Sequence, residues 1–271
     1  MAECSRWRLI VDVPRNGAWN MAVDEAVLEA VAAGEAPATL RFYAWSPPCI
    51  SIGYAQKLQD FDLERLRADG VELVRRPSGG RAVLHKQELT YCLCITADDG
   101  RVSGGVLASY RRLSWGFMEG LRYLGLDSTL MEGEGGEQAV PAACFNAPSR
   151  YELTAAGRKI VGSAQWRHNG GVLQHGSVPL NADVAELVNY MAVSEAERQA
   201  AREALRCRAG TLSAALGRPV SFLEVTTALA QGLAEVLELE WLEAELTTAE
   251  RVRAKMLMRE KYGSEAWLHR V

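Results

Sequence analysis

Tyr151-Glu152-Leu153-Thr154-Ala155-Ala156-Gly157-Arg158-Lys159-Ile160-Val161-Gly162-Ser163-Ala164-Gln165-Trp166-Arg167-His168-Asn169-Gly170-Gly171-Val172-Leu173-Gln174-His175-Gly176-Ser177-Val178-Pro179-Leu180 holds three strand-length runs, at residues 151–154, 158–166 and 172–180. The breaks between them, Ala155-Ala156-Gly157 and His168-Asn169-Gly170-Gly171, carry residues suited to tight turns, because glycine and asparagine reach left-handed backbone at little cost. Connections this short join only antiparallel neighbours, since a parallel pair needs a crossover of a dozen or more residues. The stretch predicts three consecutive antiparallel strands.

Toward the N-terminus, β-branched and aromatic runs at 40–45, 50–54, 71–76, 81–85 and 89–96 predict further short strands. Trp19, Ala22, Val23, Ala26, Val27 and Ala30 recur at helical spacing behind a candidate N-cap, Asn16, which predicts a helix over 17–33. Leu107, Tyr110, Leu113, Phe117, Leu121 and Leu124 mark a second long amphipathic helix, and Leu58, Phe61, Leu63 and Leu66 a short one within 57–69. Residues 127–141, with a Glu-Gly-Glu-Gly-Gly-Glu centre, lack periodicity and are expected to form a mobile surface loop. Beyond Asn181 the pattern turns helical, with one strand at 237–246 and a last helix over 248–262. The expected fold class is α/β (α+β), a mixed, largely antiparallel sheet flanked by helices. One domain over 1–271 is expected, with its core at about 35–245 and a helical C-terminal portion over about 182–271.

Composition sets mild bounds. A formal charge of −4 and a pI near 5.7 offer no broad basic face for nucleic acid. No run of about eighteen apolar residues exists to span a bilayer, and Met1-Ala2-Glu3-Cys4-Ser5-Arg6-Trp7-Arg8 is no secretory signal. A soluble cytoplasmic monomer is expected, with neither membrane nor nucleic-acid partner. None of the six cysteines shows the Cys-x2-Cys spacing that zinc or dithiol chemistry favours, so no metal is expected. Cys92 and Cys94 would share one face of a strand, and with Cys49 and Cys207 they read as packing residues.

Cys144 differs. It stands in Pro141-Ala142-Ala143-Cys144-Phe145-Asn146-Ala147-Pro148-Ser149, a proline-bounded loop where a substrate can arrive. The next strand alternates Lys159, Val161, Ser163 and Gln165 against Arg158, Ile160, Gly162 and Ala164, and the first face is expected to line a site. Only five of the thirty basic residues are lysine, so Lys159 beside Arg158 points to a need for a compact ammonium; a solvated strand lysine is the plain alternative.

A second constellation is the loop Arg75-Arg76-Pro77-Ser78-Gly79-Gly80-Arg81-Ala82-Val83-Leu84-His85. Its paired glycines can make a simple turn, or can let a substrate lie against backbone N–H groups. The loop lacks the spacing of the nucleotide-hydrolase phosphate loop. His85 and His175 read as structural histidines or as groups that orient backbone or carry a proton.

Taken in order, the glycine loop, Gln87-Glu88-Leu89-Thr90-Tyr91, Cys144-Phe145-Asn146-Ala147-Pro148-Ser149-Arg150-Tyr151-Glu152, the run from Gly157 to Gln165, and Gln174-His175-Gly176-Ser177 resemble the lipoate ligase, octanoyltransferase and biotin ligase superfamily. Within it the chain is most similar to the LipM-type octanoyltransferases, over about residues 16–180. The resemblance implies the catalytic-domain fold of the biotin and lipoate ligases, an acyl-thioester on Cys144, and a pKa-lowering role for Lys159. It implies a substrate-binding set of Arg76, Ser78, Gly79, Gly80, Arg81, Ala82, His85, Gly162, Ser163, Ala164, His175 and Gly176. The donor would be octanoyl-acyl carrier protein and the acceptor a lipoyl-domain protein such as the glycine cleavage H protein, with no cofactor.

Three rivals remain at this level. ATP-dependent lipoate ligases carry a third glycine where Arg81 stands and an aspartate where Lys86 follows His85. Arg81 agrees with the octanoyltransferase pattern, whereas Lys86 departs from both. An octanoyl amidotransferase between lipoyl domains also uses a cysteine, and a non-catalytic acyl- or lipoyl-domain-binding protein would explain the glycine loop but not Cys144 together with Lys159.

Overall fold

The computed structural model describes residues 5–132 and 151–271. The chain enters through β1 (Ser5–Val11) and α1 (Gly17–Ala32), then passes through β2 (Thr39–Tyr43), β3 (Cys49–Ile52), α2 (Leu63–Ala68), β4 (Glu72–Arg75), β5 (Val83–His85), β6 (Glu88–Thr96) and α3 (Gly105–Tyr123). β7 (Thr129–Glu132), β8 (Tyr151–Ala155), β9 (Arg158–His168) and β10 (Gly171–Pro179) follow. After them come α4 (Glu195–Arg208), α5 (Leu212–Leu216), α6 (Phe222–Leu237), β11 (Leu239–Glu243), α7 (Thr248–Leu257) and α8 (Glu265–Leu268).

β8, β9 and β10 form the predicted antiparallel meander. Ala156 (φ 49°) and Gly157 make one two-residue turn, Asn169 (φ 46°) and Gly170 the other. In the larger sheet the order is β11-β1-β2-β6-β10-β9-β8-β7, and a smaller sheet has the order β4-β3-β5. β1 runs parallel to both β2 and β11, and the remaining pairs of the larger sheet are antiparallel. The register sets His175 between Cys92 of β6 and Ala164 of β9.

Helices cover both faces of the larger sheet. α3 and α6 bury Leu113, Phe117, Leu121, Leu229 and Leu233 against Leu40, Tyr91 and Leu93, while α1 and α7 pack over Cys92, Cys94 and Leu173. Asn16 caps α1 as expected, its side chain accepting from the Trp19 N–H at 2.8 Å. Unlike an ordinary amphipathic helix, α1 is buried on every side from Asn20 to Leu28, including Asp24 and Glu25.

Some expectations needed correction. β1 was not foreseen, because its apolar run is short and flanked by arginines; Arg8 is buried through a two-pronged pair with Glu250 of α7, 2.9 Å from Nη1 to Oε2. Residues 129–132, expected within a mobile loop, are the strand β7, paired along β8. Edge pairing does not need the periodicity that sequence reading looks for. The short helix within 57–69 divides into a 3-10 turn (Leu58–Asp60) and α2, and the last helix ends in a π turn (Met258–Tyr262) before α8. Cys207 is exposed on α4 rather than packed, whereas Cys49, Cys92 and Cys94 are buried. Among the described residues no helix is long and apolar enough to cross a membrane.

Candidate active site

A cleft opens where β9 and β10 meet the smaller sheet. Met21 of α1, Tyr43, Trp45, Ser51, Val83, His85 and Thr90 form one side, and Gly162, Ser163, Ala164, His175, Gly176 and Ser177 the other. Gly80 and Arg76 close it from the glycine loop.

That loop is held by two buried arginines. Arg76 donates from Nη2 to the carbonyls of Gly79 (2.8 Å) and Arg81 (2.7 Å), and from Nη1 to the Ser51 carbonyl (2.9 Å). Arg75 donates to the carbonyls of Gly53, Tyr54 and Gln56 on one side and of Leu268 on the other. Each guanidinium offers five donors in a rigid fork, so backbone carbonyls that would otherwise be orphaned set the loop's path. At Gly80 φ is +92°, and the Gly80 carbonyl passes so close to Gly53 that a Cβ at Gly53 would sit 1.9 Å from it. Gly53→Ala is therefore expected to cost about 1–3 kcal/mol and lower the melting temperature by several degrees, with weakened acyl binding. An unchanged melting curve would refute the close approach.

Two histidines anchor polar chains behind the cleft wall. His85 bonds the Ser51 hydroxyl through Nε2 (2.7 Å) and Glu88 through Nδ1 (2.6 Å), and Trp45 stacks on its ring at 4.0 Å. Glu88 also accepts from Thr90 and Ser177. His175 meets the Ser78 hydroxyl through Nε2 (2.5 Å) and faces Asp24 through Nδ1 (3.4 Å). Asp24 in turn holds Arg41 at 2.8 Å and accepts from Tyr43 at 2.8 Å. Both ring nitrogens of each histidine are thereby occupied, and the surface turned to the cleft is left largely apolar.

Burial above all lowers the His175 pKa, against the pull of Asp24, with Arg76 and His85 adding to the lowering. The fold thus favours neutral imidazole. Above the ordinary value of about 6.5 this costs nothing; as pH falls through it the unfolded chain takes up a proton the fold refuses, and stability declines until the lower folded value is passed. Between about pH 7 and pH 5 the melting temperature of the protein should fall more steeply than that of His175→Gln. Parallel pH curves would contradict this.

Of the residues singled out from sequence, Arg76, Gly80, His85, Gly162, Ser163, Ala164, His175 and Gly176 meet at the cleft. Ser78 stands behind it on His175, and Ala82 is buried in the core of the smaller sheet. Gly79 and Arg81 line an outer bowl, beyond the loop. Cys144 lies outside the described residues. Lys159 is buried near the start of β9, its Nζ donating to Glu152 Oε1 at 2.9 Å. The face it was grouped with is divided: Val161 belongs to the core and Gln165 turns to Ser109 of α3 at 3.1 Å, while Ser163 bonds Tyr91 and still reaches the cleft. Alternation places that face under α3, so packing takes part of it. Lys86 pairs with Glu186 at 2.7 Å, half-buried on the surface.

Sequence reading missed Met21, Tyr43, Trp45, Ser51, Thr90 and the Asp24 and Glu88 carboxylates behind them. Asp24 and Glu25 did leave a signal, two acids amid the apolar residues of α1. Burial raises the Cys49 and Cys92 thiols well above their usual range, which suits packing rather than reaction.

The family profile described as lipoyl protein ligase A/B catalytic domain matches residues 16–234. Octanoyltransferase LipM of Symbiobacterium thermophilum is 44% identical over 272 residues, spanning 97% of this chain and 98% of that one. Octanoyltransferase LipM of Carboxydothermus hydrogenoformans is 40% identical, with coverage of 97% and 98%. Among solved structures, a chain from the bi-partite lipoate protein ligase and E2 lipoyl domain study of Thermoplasma acidophilum aligns with a TM-score of 0.80 at 27% identity, covering 97% of this chain and 96% of that one.

Proposed function

The chain belongs to the lipoyl protein ligase A/B catalytic-domain family, on its LipM-type octanoyltransferase branch, and we propose that it moves an octanoyl group from octanoyl-acyl carrier protein to a lysine of a lipoyl domain, through a thioester on Cys144. The observation that carries this reading is the cleft beneath the glycine loop. It is apolar toward its interior because its polar groups bond one another behind the wall. An acyl chain gains about 0.8 kcal/mol for each methylene it buries there.

The chemistry needs no nucleotide, because the donor is already activated as a thioester. The Cys144 thiolate attacks the octanoyl carbonyl, the tetrahedral oxyanion collapses, and the carrier leaves as its thiolate, which takes up a proton. The acceptor's lysine amine then attacks the new thioester. Its C–N bond forms, the Cys144 thiolate leaves, and the amine gives up a proton, so that an amide replaces a thioester. Backbone N–H groups at Gly79, Gly80 or the Cys144 loop are the candidate oxyanion donors, each worth roughly 3 kcal/mol in comparable sites. Lys159 serves as the cation that favours the thiolate. The glycine cleavage H protein is the proposed acceptor.

Intact-mass spectrometry after incubation with octanoyl-acyl carrier protein tests the reading. A hydroxylamine-labile octanoyl adduct on the enzyme, discharged by an apo lipoyl domain, is the expected result. Octanoyl-adenylate formed only with ATP, and no adduct, would overturn it in favour of a ligase.

A further inference from the structure

Outside the cleft, across the glycine loop, lies an open bowl lined by Tyr54, Gln56, Gly79, Arg81, Trp267 and Arg270, with Trp166, His168 and Lys261 on its far wall. None of its lining residues is a carboxylate, in a chain whose net charge is −4. The Arg270 guanidinium rests 3.8 Å from the centre of the Tyr54 ring and 4.6 Å from that of Trp267, which fixes its position while leaving it exposed. Lys261 lies 4.5 Å from the Trp267 ring, tied to Glu25. Besides burial, the nearby charge of Arg270 depresses the Arg75 pKa, as expected where cations crowd together.

The bowl adjoins the cleft at the glycine loop. Gly80 lines both, and a Cβ placed on its neighbour Gly79 would meet nothing within 4 Å, so the loop is a bare saddle between the two. We propose that this bowl receives the phosphopantetheine arm of the acyl carrier donor, with Arg270 and Arg81 facing its phosphodiester and the arm crossing the saddle at Gly79 and Gly80. The proposal rests on the octanoyltransfer reading above.

Reach separates the donor from the acceptor. Trp166 stands seven residues beyond Lys159 on β9, roughly 23 Å along the strand at about 3.3 Å per residue. An acceptor lysine has only a four-carbon stem and must dock close to the reacting atoms. A donor that carries its thioester at the end of a long flexible arm can be held at that distance. The arm's phosphodiester is anionic, and a guanidinium fork matches phosphate oxygens in pairs.

Arg270→Glu tests the assignment, with His168→Glu as an independent second variant on the far wall and melting curves as the check on folding. Enzyme acylation is followed by intact mass with octanoyl-acyl carrier protein and with octanoyl-pantetheine, which lacks phosphate and protein. Each variant is expected to raise the KM for the carrier about tenfold, less so at high salt, and to leave the rate from octanoyl-pantetheine and the discharge of pre-formed acyl-enzyme unchanged. An unaltered carrier KM in both folded variants overturns the proposal. So does a defect confined to discharge, which would assign the bowl to the lipoyl domain. Wild-type enzyme that no octanoyl thioester acylates would instead sink the octanoyltransfer reading, and this inference with it.

Discussion

Cys144→Ser is expected to abolish the hydroxylamine-labile octanoyl adduct and to lower transfer to the lipoyl domain by at least about 10³-fold. Loss of an activated nucleophile is among the largest single-residue effects in acyl transfer. A serine hydroxyl stays protonated at neutral pH, and nothing in the proposed chemistry supplies it with the general base a serine enzyme requires. The cysteines among the described residues offer no substitute. Cys49, Cys92 and Cys94 are buried, and Cys207, exposed on α4, is not among the residues that line the cleft. Intact-mass spectrometry of the variant beside wild type reads the outcome directly. An adduct that persists in Cys144→Ser would show that another group accepts the acyl chain, and the cysteine mechanism would fall.

The second large effect is expected at Lys159. An unperturbed thiol with a pKa near 8.5 is only a few per cent thiolate at pH 7, and a cation within about 4–6 Å lowers a neighbouring acid's pKa by roughly 1–3. Removing that cation raises the thiol pKa. Lys159→Met should therefore shift the pH profile of Cys144 alkylation by iodoacetamide upward by at least about one pH unit and slow acylation at pH 7 by about 10- to 100-fold. The same change leaves Glu152 without the buried ammonium it now meets at 2.9 Å. Glu152→Gln is the necessary companion: it disturbs the same pair but keeps the positive charge, so its alkylation profile should not move upward. An unchanged profile in folded Lys159→Met would remove the lysine from the mechanism.

Much of the fold was legible because hairpin turns and helical spacing are local signals. Ala156-Gly157 and Asn169-Gly170 announce the meander, and Asn16 announces α1. β1 and β7 were hidden for a non-local reason. Their stability comes from partners far along the chain, β11 and the Arg8–Glu250 pair in one case and β8 in the other.

The candidate site divides in the same way. The sequence by itself singled out the glycine loop, the two histidines, Lys159 and the proline-bounded Cys144 as candidates, because each is an unusual residue type in a short recognisable pattern. Only the tertiary structure decided that Arg75 and Arg76 brace the loop, that Asp24 and Glu88 hold the histidines, and that Trp45, Met21 and Tyr43 complete the cleft. The reason is physical: a buried guanidinium or imidazole must find its partners wherever the packed chain brings them, and a concave apolar wall exists only once strands distant in sequence lie side by side.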